Sequence, residues 1–325
     1  MEIRLLLKAL GFILLVVIGI PGNVFILLKF AYIKIIERKL LPANVILMVL
    51  ASSNVLVIFS RVIPQALDAI GVENLLDDTE CKLVLFTYRV SRAMSICITS
   101  YLSCHQCVLI APVTRNWIYI KEKLTRSVSF IITLILCMNL SLYTSALLYG
   151  KARMNSTTSP YVLRLVYCNA DFLTYISFLI NGLVSVVREI IFLVLMTVSS
   201  SYMIFILHRH GKSMKGMRSS DKSQTKTIEY KASRAVLLLV ALYVLLYGMD
   251  NSMWIYTLSL SSVSPEMNDT RIFLAASYSA LSPMVIIATN PKLHQRSPWK
   301  KKLIQIEKRH FVNSVSQDIS DYTSG

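Results

Sequence analysis

Of 325 residues, 54% are hydrophobic and only 16% charged, with a mean hydropathy of +0.57, too apolar for a soluble domain, in which about 25% of residues are charged. A formal charge of +16 and a pI of about 9.6 would suggest nucleic acid in a soluble protein, but Lys and Arg gather in short segments between apolar runs, so no nucleic-acid partner is expected. Six cysteines without zinc-ribbon spacing exclude a small disulfide scaffold and leave room for one or two bridges.

A hydrocarbon core about 30 Å thick takes about 20 mostly apolar residues at 1.5 Å each, and seven such runs follow one another. The first is expected over residues 9–31. Arg4 and Lys8 precede it as in a signal peptide, but the run is too long and lacks a small-residue cleavage pattern; Lys34, Arg38 and Lys39 follow it. The second, 44–67, is followed by Glu73, Asp77, Asp78 and Glu80, and the third, 83–110, by Arg115, Lys121, Lys123 and Arg126. The fourth, 127–149, leads into a loop with the sequon Asn155-Ser156-Thr157 and Cys168. A basic segment from Arg209 to Arg234 follows the fifth, 183–207. After the sixth, 235–258, come Glu266 and a second sequon, Asn268-Asp269-Thr270. The seventh, 272–289, precedes a basic tail with Lys300, Lys301 and Lys302 and a polar, Ser-rich end expected to be unstructured. The expected fold is an all-α, seven-helix bundle over residues 1–290 with a cytoplasmic tail over 291–325, in the plasma membrane.

Lys and Arg are retained on the cytoplasmic side of a membrane, so the alternation of linkers puts the amino terminus outside and the carboxyl terminus inside. Cys81, at the start of the third run, and Cys168 then both lie outside, where an oxidising compartment lets them pair. Cys97, Cys104, Cys107 and Cys137 fall within helices. Both sequons, at Asn155 and Asn268, lie on the outer face as glycosylation candidates.

Charged side chains in a bilayer cost about 2.5–3.5 kcal/mol each on insertion scales, so those present need a partner or a task. Arg89 and Arg92 lie one turn apart on one face of the third helix, roughly 12 and 16 Å below Cys81. Arg61 on the second helix, Glu189 on the fifth and Asp250 on the sixth count to roughly 9–14 Å below the same surface. Charges from four helices converging in the outer third suit a pocket for a small polar ligand. The functional expectation is that Arg89 or Arg92 grips an anionic or hydrogen-bonding group of that ligand. The packing alternative is that Arg89 pairs permanently with Asp250 or Glu189. Tyr247, Trp254 and Tyr256 are candidate pocket walls, although an aromatic near the membrane surface also serves as an interfacial anchor.

Particular stretches carry a family resemblance. Leu41-Pro42 through Asn54, Ile63-Pro64-Gln65 and Gly71 in the second helix, Tyr88-Arg89-Val90-Ser91-Arg92, Ser95-Ile96, Leu102-Ser103, Gln106 and Ala111-Pro112 in and after the third, Ser233-Arg234-Ala235 with Leu237-Leu238-Leu239-Val240, and Ser282-Pro283 are involved. Together they resemble the vomeronasal type-1 receptors and their fish olfactory counterparts, a branch of the seven-helix G-protein-coupled receptors. The acidic-Arg-aromatic triplet of rhodopsin-like receptors is replaced by His105-Gln106-Cys107, the Asn-Pro motif reads Ser282-Pro283, and the helix-six Cys-Trp-x-Pro motif is missing. The vomeronasal branch shares these departures. The resemblance implies a chemosensory receptor for a small-molecule pheromone or odorant, signalling to a heterotrimeric G protein of the inhibitory class, with no cofactor. The basic linkers touch that partner or anionic membrane lipids.

Two other classes are expected to fail. An enzyme reading rests on Cys104-His105-x-Cys107, which lacks the ligand set of a zinc site. A transporter or channel would show internal repeats, and none is visible.

Overall fold

The computed structural model describes residues 3–38, 40–72, 76–112, 115–152, 162–164, 167–172, 174–214, 223–258, 265–290 and 293. The chain divides into two units, Met1–Thr289 and Asn290–Gly325. Nearly all of the second unit, which holds the expected tail, lies outside the described residues.

Seven helices in the first unit are long and apolar enough to cross a membrane: Leu5–Glu37, Pro42–Ala69, Asp78–Ile110, Val128–Tyr149, Tyr175–Arg209, Ala232–Met253 and Asp269–Thr289. They are built from α1 (Ile3–Glu37), α2 (Pro42–Val57) and α3 (Ile63–Ala69) joined by a π-helical turn (Ile58–Val62), α4 (Asp78–Ile110), α6 (Val128–Tyr143) with α7 (Ala146–Tyr149), α8 (Tyr175–Met214), α9 (Ser223–Leu258) and α10 (Pro265–Thr289). Between α4 and α6 lies α5 (Arg115–Arg126). The fifth span begins at Tyr175 rather than 183. Its first turn is capped by Thr174, whose Oγ1 accepts from the Ser177 N–H at 3.2 Å, and polar Asn181 bonds back to the Ser177 carbonyl instead of breaking the helix.

The third span is the axis of the bundle, 72% buried against 17% for the fourth. Accordingly α4 packs against α2, α6, α8 and α9, while α1 closes the ring between α2 and α10. Its start is fixed by a reciprocal cap. The Glu80 N–H donates to Asp77 Oδ1 at 2.7 Å and the Asp77 N–H to Glu80 Oε2 at 3.2 Å, so acidic residues that orient the chain also satisfy orphan donors of this helix. At the end of α3, Gly71 takes φ +91°. The Val72 N–H reaches the Leu67 carbonyl and the Gly71 N–H that of Asp68, a left-handed termination that suits residues without a Cβ.

A three-stranded antiparallel sheet forms in the loop after the fourth span, an element the apolar pattern does not announce. Its order is β1 (Gly150–Ala152), β3 (Cys168–Asp171), β2 (Val162–Arg164), with Lys151 opposite Asn169 and Leu163 opposite Ala170. The disulfide Cys81–Cys168 ties β3 to the first turn of α4, and the Ala152 N–H donates to Asp78 Oδ1 at 2.6 Å. Cys81, Leu85, Tyr167, Cys168, Ala170 and Phe172 make one buried cluster beneath it. Strand β3 is thereby held over the end of the bundle as a cap.

Toward the other end, helices are joined by hydrogen bonds between neutral side chains, which in lipid replace the hydrophobic drive that water would supply. Asn54 Nδ2 donates to Ser282 Oγ and Asn54 Oδ1 accepts from Ser95 Oγ, both at 2.9 Å. Asn23 Nδ2 reaches the Ser279 carbonyl at 3.0 Å. This last contact requires α1 and α10 to approach closely at Gly19, where a Cβ would run into Ile58 Cδ1 and lie 3.0 Å from Ala280 Cα. Asn54 thus joins three helices with both ends of one amide. Asn54→Leu strands the Ser95 and Ser282 hydroxyls, so a loss of about 1–3 kcal/mol is expected, read as a lower melting temperature of the purified receptor in detergent; an unchanged melt would mean the network contributes nothing.

Candidate functional site

Below the β3 cap, charged side chains from four spans and an amide from a fifth meet. Arg92 Nη2 on α4 lies 3.2 Å from Asp250 Oδ2 on α9, and its Nε lies 3.7 Å from Glu189 Oε1 on α8. Each carboxylate holds a second guanidinium: Arg271 Nε of α10 sits 3.3 Å from Asp250 Oδ1, and Arg188 Nη2 sits 3.3 Å from Glu189 Oε1. Arg188 also donates through Nη1 to Asn139 Oδ1 of α6 at 3.3 Å. The result is a chain, Arg271–Asp250–Arg92–Glu189–Arg188–Asn139, that crosses α10, α9, α4, α8 and α6.

This settles which arginine carries the internal pairing. Asp250 and Glu189 are held by Arg92, not by Arg89, because the two arginines lie one turn apart but not on the same line: Arg92 reaches between α8 and α9 and Arg89 points toward the cap. Arg89 is half-buried with its guanidinium 5.9 Å from the Phe172 ring, and has no carboxylate partner among the described residues. Arg92 additionally donates to Tyr88 Oη at 3.2 Å and stands 4.9 Å from the Tyr247 ring centre.

Arg61 takes a third position. It sits in the π-helical turn of the second span, 6% exposed, between the rings of Tyr88 and Tyr167 at 5.1 and 5.6 Å. Its Nη1 donates to Tyr167 Oη at 3.1 Å. Pro64 explains what lies next to it: with no N–H, it cannot bond the Ser60 carbonyl four residues earlier, and that carbonyl accepts instead from Tyr167 Oη at 3.3 Å. Burial pushes the Tyr167 phenol above its ordinary range, against the opposing pull of the Arg61 guanidinium, which keeps the hydroxyl protonated and able to donate. One loop residue therefore fills the gap that a proline opens in a helix and also holds the nearby cation.

Beneath Arg92 lies an aromatic floor. Tyr243 and Tyr247 stack at 4.3 Å, and Tyr278 meets them at 5.2 and 5.8 Å. Tyr247 is buried and its hydroxyl has no partner among the described residues. Tyr256 is 57% exposed, the position of an anchor rather than a wall; the Trp254 side chain lies outside the described residues.

The structure therefore brings Arg61, Arg89, Arg92, Glu189, Asp250 and Tyr247 to one end of the bundle, and adds Arg188, Arg271 and Tyr167. The Cys104-His105-x-Cys107 stretch stays apart from it, and no metal-holding group of three His, Cys, Asp or Glu occurs among the described residues. Of the two sequons, Asn155 lies outside the described residues, and Asn268 lies within α10 with its side chain outside them.

The model of the vomeronasal organ pheromone receptor family matches residues 9–297. The chain belongs to the vomeronasal type-1 receptor family. It is 36% identical to olfactory receptor class A-like protein 1 of Danio rerio over 297 residues, 91% of this chain and 93% of that one. It is 27% identical to vomeronasal type-1 receptor 3 of Homo sapiens over 307 residues, 91% and 98% of the two chains, and 27% identical to vomeronasal type-1 receptor 90 of Rattus norvegicus over 285 residues, 86% and 89%. This vomeronasal-type receptor is a multi-pass plasma-membrane protein and a chemosensory G-protein-coupled receptor rather than an enzyme. The match gives no support to a transporter or channel.

Because Asp250 is 3% exposed and serves two arginines, Asp250→Asn is the most damaging single change to the chain of pairs. The loss falls toward the lower end of the roughly 3–5 kcal/mol typical of a broken buried pair, since Arg271 keeps some solvent. Adding Arg271→Gln then costs less than its effect in the parent. Thermal melts of the four receptors in detergent give the coupling, and strictly additive effects would contradict a shared carboxylate.

Proposed function

We propose that the receptor binds a small acidic pheromone or odorant at the β3-capped end, with Arg89 as the group that meets the ligand's anion. The observation that carries this is the contrast between neighbours: Arg92, Arg188 and Arg271 all engage carboxylates, whereas Arg89 faces the cap half-buried with none among the described residues. A guanidinium fork matches a carboxylate or sulfate bidentately. Phe172 beside it and Tyr247 below, whose hydroxyl has no partner among the described residues, supply an apolar wall and one further polar contact, the composition expected of a ligand pocket. Arg61 and the Arg92–Asp250–Glu189 chain complete the layer, the chain being the element a bound anion disturbs. A ligand that competes for Arg92 weakens contacts among five helices at once and so favours a different packing of the bundle.

The sidedness of the charges supports the β3-capped end outside, the amino terminus with it, and the carboxyl terminus inside. On that reading Asn155 and Asn268 are glycosylation candidates, and the helix α5 together with the basic segment from Arg209 to Arg234 meets a heterotrimeric G protein of the inhibitory class. Residues 1–290 act as the receptor unit and 291–325 as a cytoplasmic tail.

The test is a G-protein or calcium response in cells expressing the chain, against a panel of small organic acids, amines and steroids. Arg89→Gln at normal surface density is expected to shift the response to an active acid at least tenfold toward higher concentration. An unchanged dose–response curve at equal surface delivery would remove Arg89 from the ligand site.

A further inference from the structure

The contacts that set α8 against α4 repeat along both helices. Three turns of helix take about 11 residues, so Ser103 stands on nearly the same line of α4 as Arg92, while on α8 Ser200 follows Glu189 and Ser199 follows Arg188. At the charged level Arg92 Nε lies 3.7 Å from Glu189 Oε1, and Arg188 is bonded to Asn139 of α6. Three turns further along, Ser103 Oγ lies 2.8 Å from Ser199 Oγ and 3.2 Å from Ser200 Oγ. All three serines are buried, and Met196, Met203 and Ile206 complete the buried side of α8 at this level. None of these six side chains carries a charge or a ring, and methionine adapts its shape readily.

Each hydroxyl has one proton to give. Ser199 directs its own to the Leu195 carbonyl at 2.7 Å, so it accepts from Ser103, and Ser103 in turn accepts from Ser200. This arrangement tolerates rotation of α8 in either direction. Turned toward Ser200, α8 leaves Ser199 on its Leu195 carbonyl while the Ser103 proton passes to Ser200. Turned toward Ser199, it frees Ser200 to bond the carbonyl four residues back, as Ser199 already does. Neither turn strands a buried donor, which is the costly outcome. We propose that Ser200 and Ser199 are alternative stops for the rotation of α8 on Ser103, Ser200 holding the resting receptor and Ser199 the signalling one. The assignment follows from the lines they share. Turning Ser200 inward brings Glu189 toward Arg92, whereas turning Ser199 inward withdraws Glu189 and advances Arg188. The proposal rests on the reading that a bound anion competes for Arg92: with that pull weakened, α8 settles on Ser199.

The experiment needs no ligand. The ligand-independent G-protein signal is measured in cells expressing the full-length receptor, Ser199→Ala, Ser200→Ala and the double variant, all at matched surface density. Ser200→Ala is expected to raise that signal, and Ser199→Ala to lower it in the parent and in the Ser200→Ala background. Each shift is expected to be roughly two- to tenfold, the change in a two-state equilibrium that one net hydrogen bond supports. Thr197→Ala, which removes an exposed hydroxyl bonded to the Leu193 carbonyl of its own helix, is expected to keep the parent signal. A contact that merely held the two helices together would move both serine variants the same way, because each removes one bond from one structure. Shifts of equal sign, or no shift in either variant, overturn the proposal. With no ligand in the measurement, its failure leaves the Arg89 dose–response test intact, and an unchanged Arg89→Gln curve leaves the opposite signs of the serine variants intact.

Discussion

A guanidinium inside a bilayer cannot be neutralised by proton loss, and the rest of this bundle is arranged around that constraint. Arg92 sits on the most buried helix, where its charge has to be met by side chains from the helices that surround it. Glu189 and Asp250 reach it from α8 and α9, and each holds a further arginine, Asp250 through its second oxygen and Glu189 through the oxygen that also faces Arg92. The pairs, with the Arg188–Asn139 hydrogen bond, fix the mutual rotation of five helices in a part of the molecule where apolar packing alone would leave it free, since lipid tails compete for the same surfaces. Isolated ion pairs of this kind add little net stability over an apolar substitute. Their effect is on specificity of packing, and a chain of shared carboxylates is a structure in which weakening one link changes the others.

The cap is coupled to this chain through a break in a helix. Pro64 removes a backbone donor, the π-helical turn Ile58–Val62 absorbs the geometric mismatch, and Tyr167 from the loop takes the vacated Ser60 carbonyl while accepting from Arg61. The disulfide one residue later fixes Tyr167 against α4. The loop is thus hydrogen-bonded to the second span and covalently joined to the third, and it lays Phe172 over Arg89. A molecule entering beneath the cap meets side chains whose positions are already set from both sides, which lowers the ordering entropy that binding must overcome.

Hydropathy and length made the seven spans legible because the bilayer imposes them from outside the chain. The start of α4 was not read: Asp77 and Glu80 counted only as acidic linker residues, since hydropathy does not register the reciprocal cap they form. Helix-face counting brought Arg61, Arg89, Arg92, Glu189 and Asp250 to one level, since a rise of 1.5 Å per residue is reliable along a span. It could not choose between Arg89 and Arg92 as the partner of Asp250, because residues three apart differ by only about 60° around the axis and the choice depends on how α4 is rotated against α8 and α9. Arg188 and Arg271 were missed for different reasons. Arg188 adjoins Glu189 on neighbouring faces, so a pair acting across two helices reads as a self-neutralising dipeptide, and Arg271 sits at the edge of its span and reads as a flanking charge. The short strands carry no periodic signal; their pairing comes from the disulfide and from the Asp78 bond to Ala152.

Two polar systems share the interior, charged near the cap and neutral below, and Tyr278 touches both. Its ring packs against Tyr247, which lies under the Arg92 guanidinium, and its hydroxyl is 2.7 Å from Thr99 Oγ1 on the central helix. One turn further along α10, Ser282 bonds Asn54, which holds Ser95 on α4. A change in the position of Arg92 therefore bears on Tyr247, through it on Tyr278, and so on the hydrogen bonds that set α10 against α4 and α2. Each step is a contact between neighbours. The aromatic rings transmit displacement because they are rigid and closely packed, and the hydroxyl and amide groups at the far end convert it into a choice of partner, since a buried donor that loses one acceptor has to find another. Rigid elements followed by exchangeable ones are what a bundle needs in order to hold two packings rather than deform continuously between them.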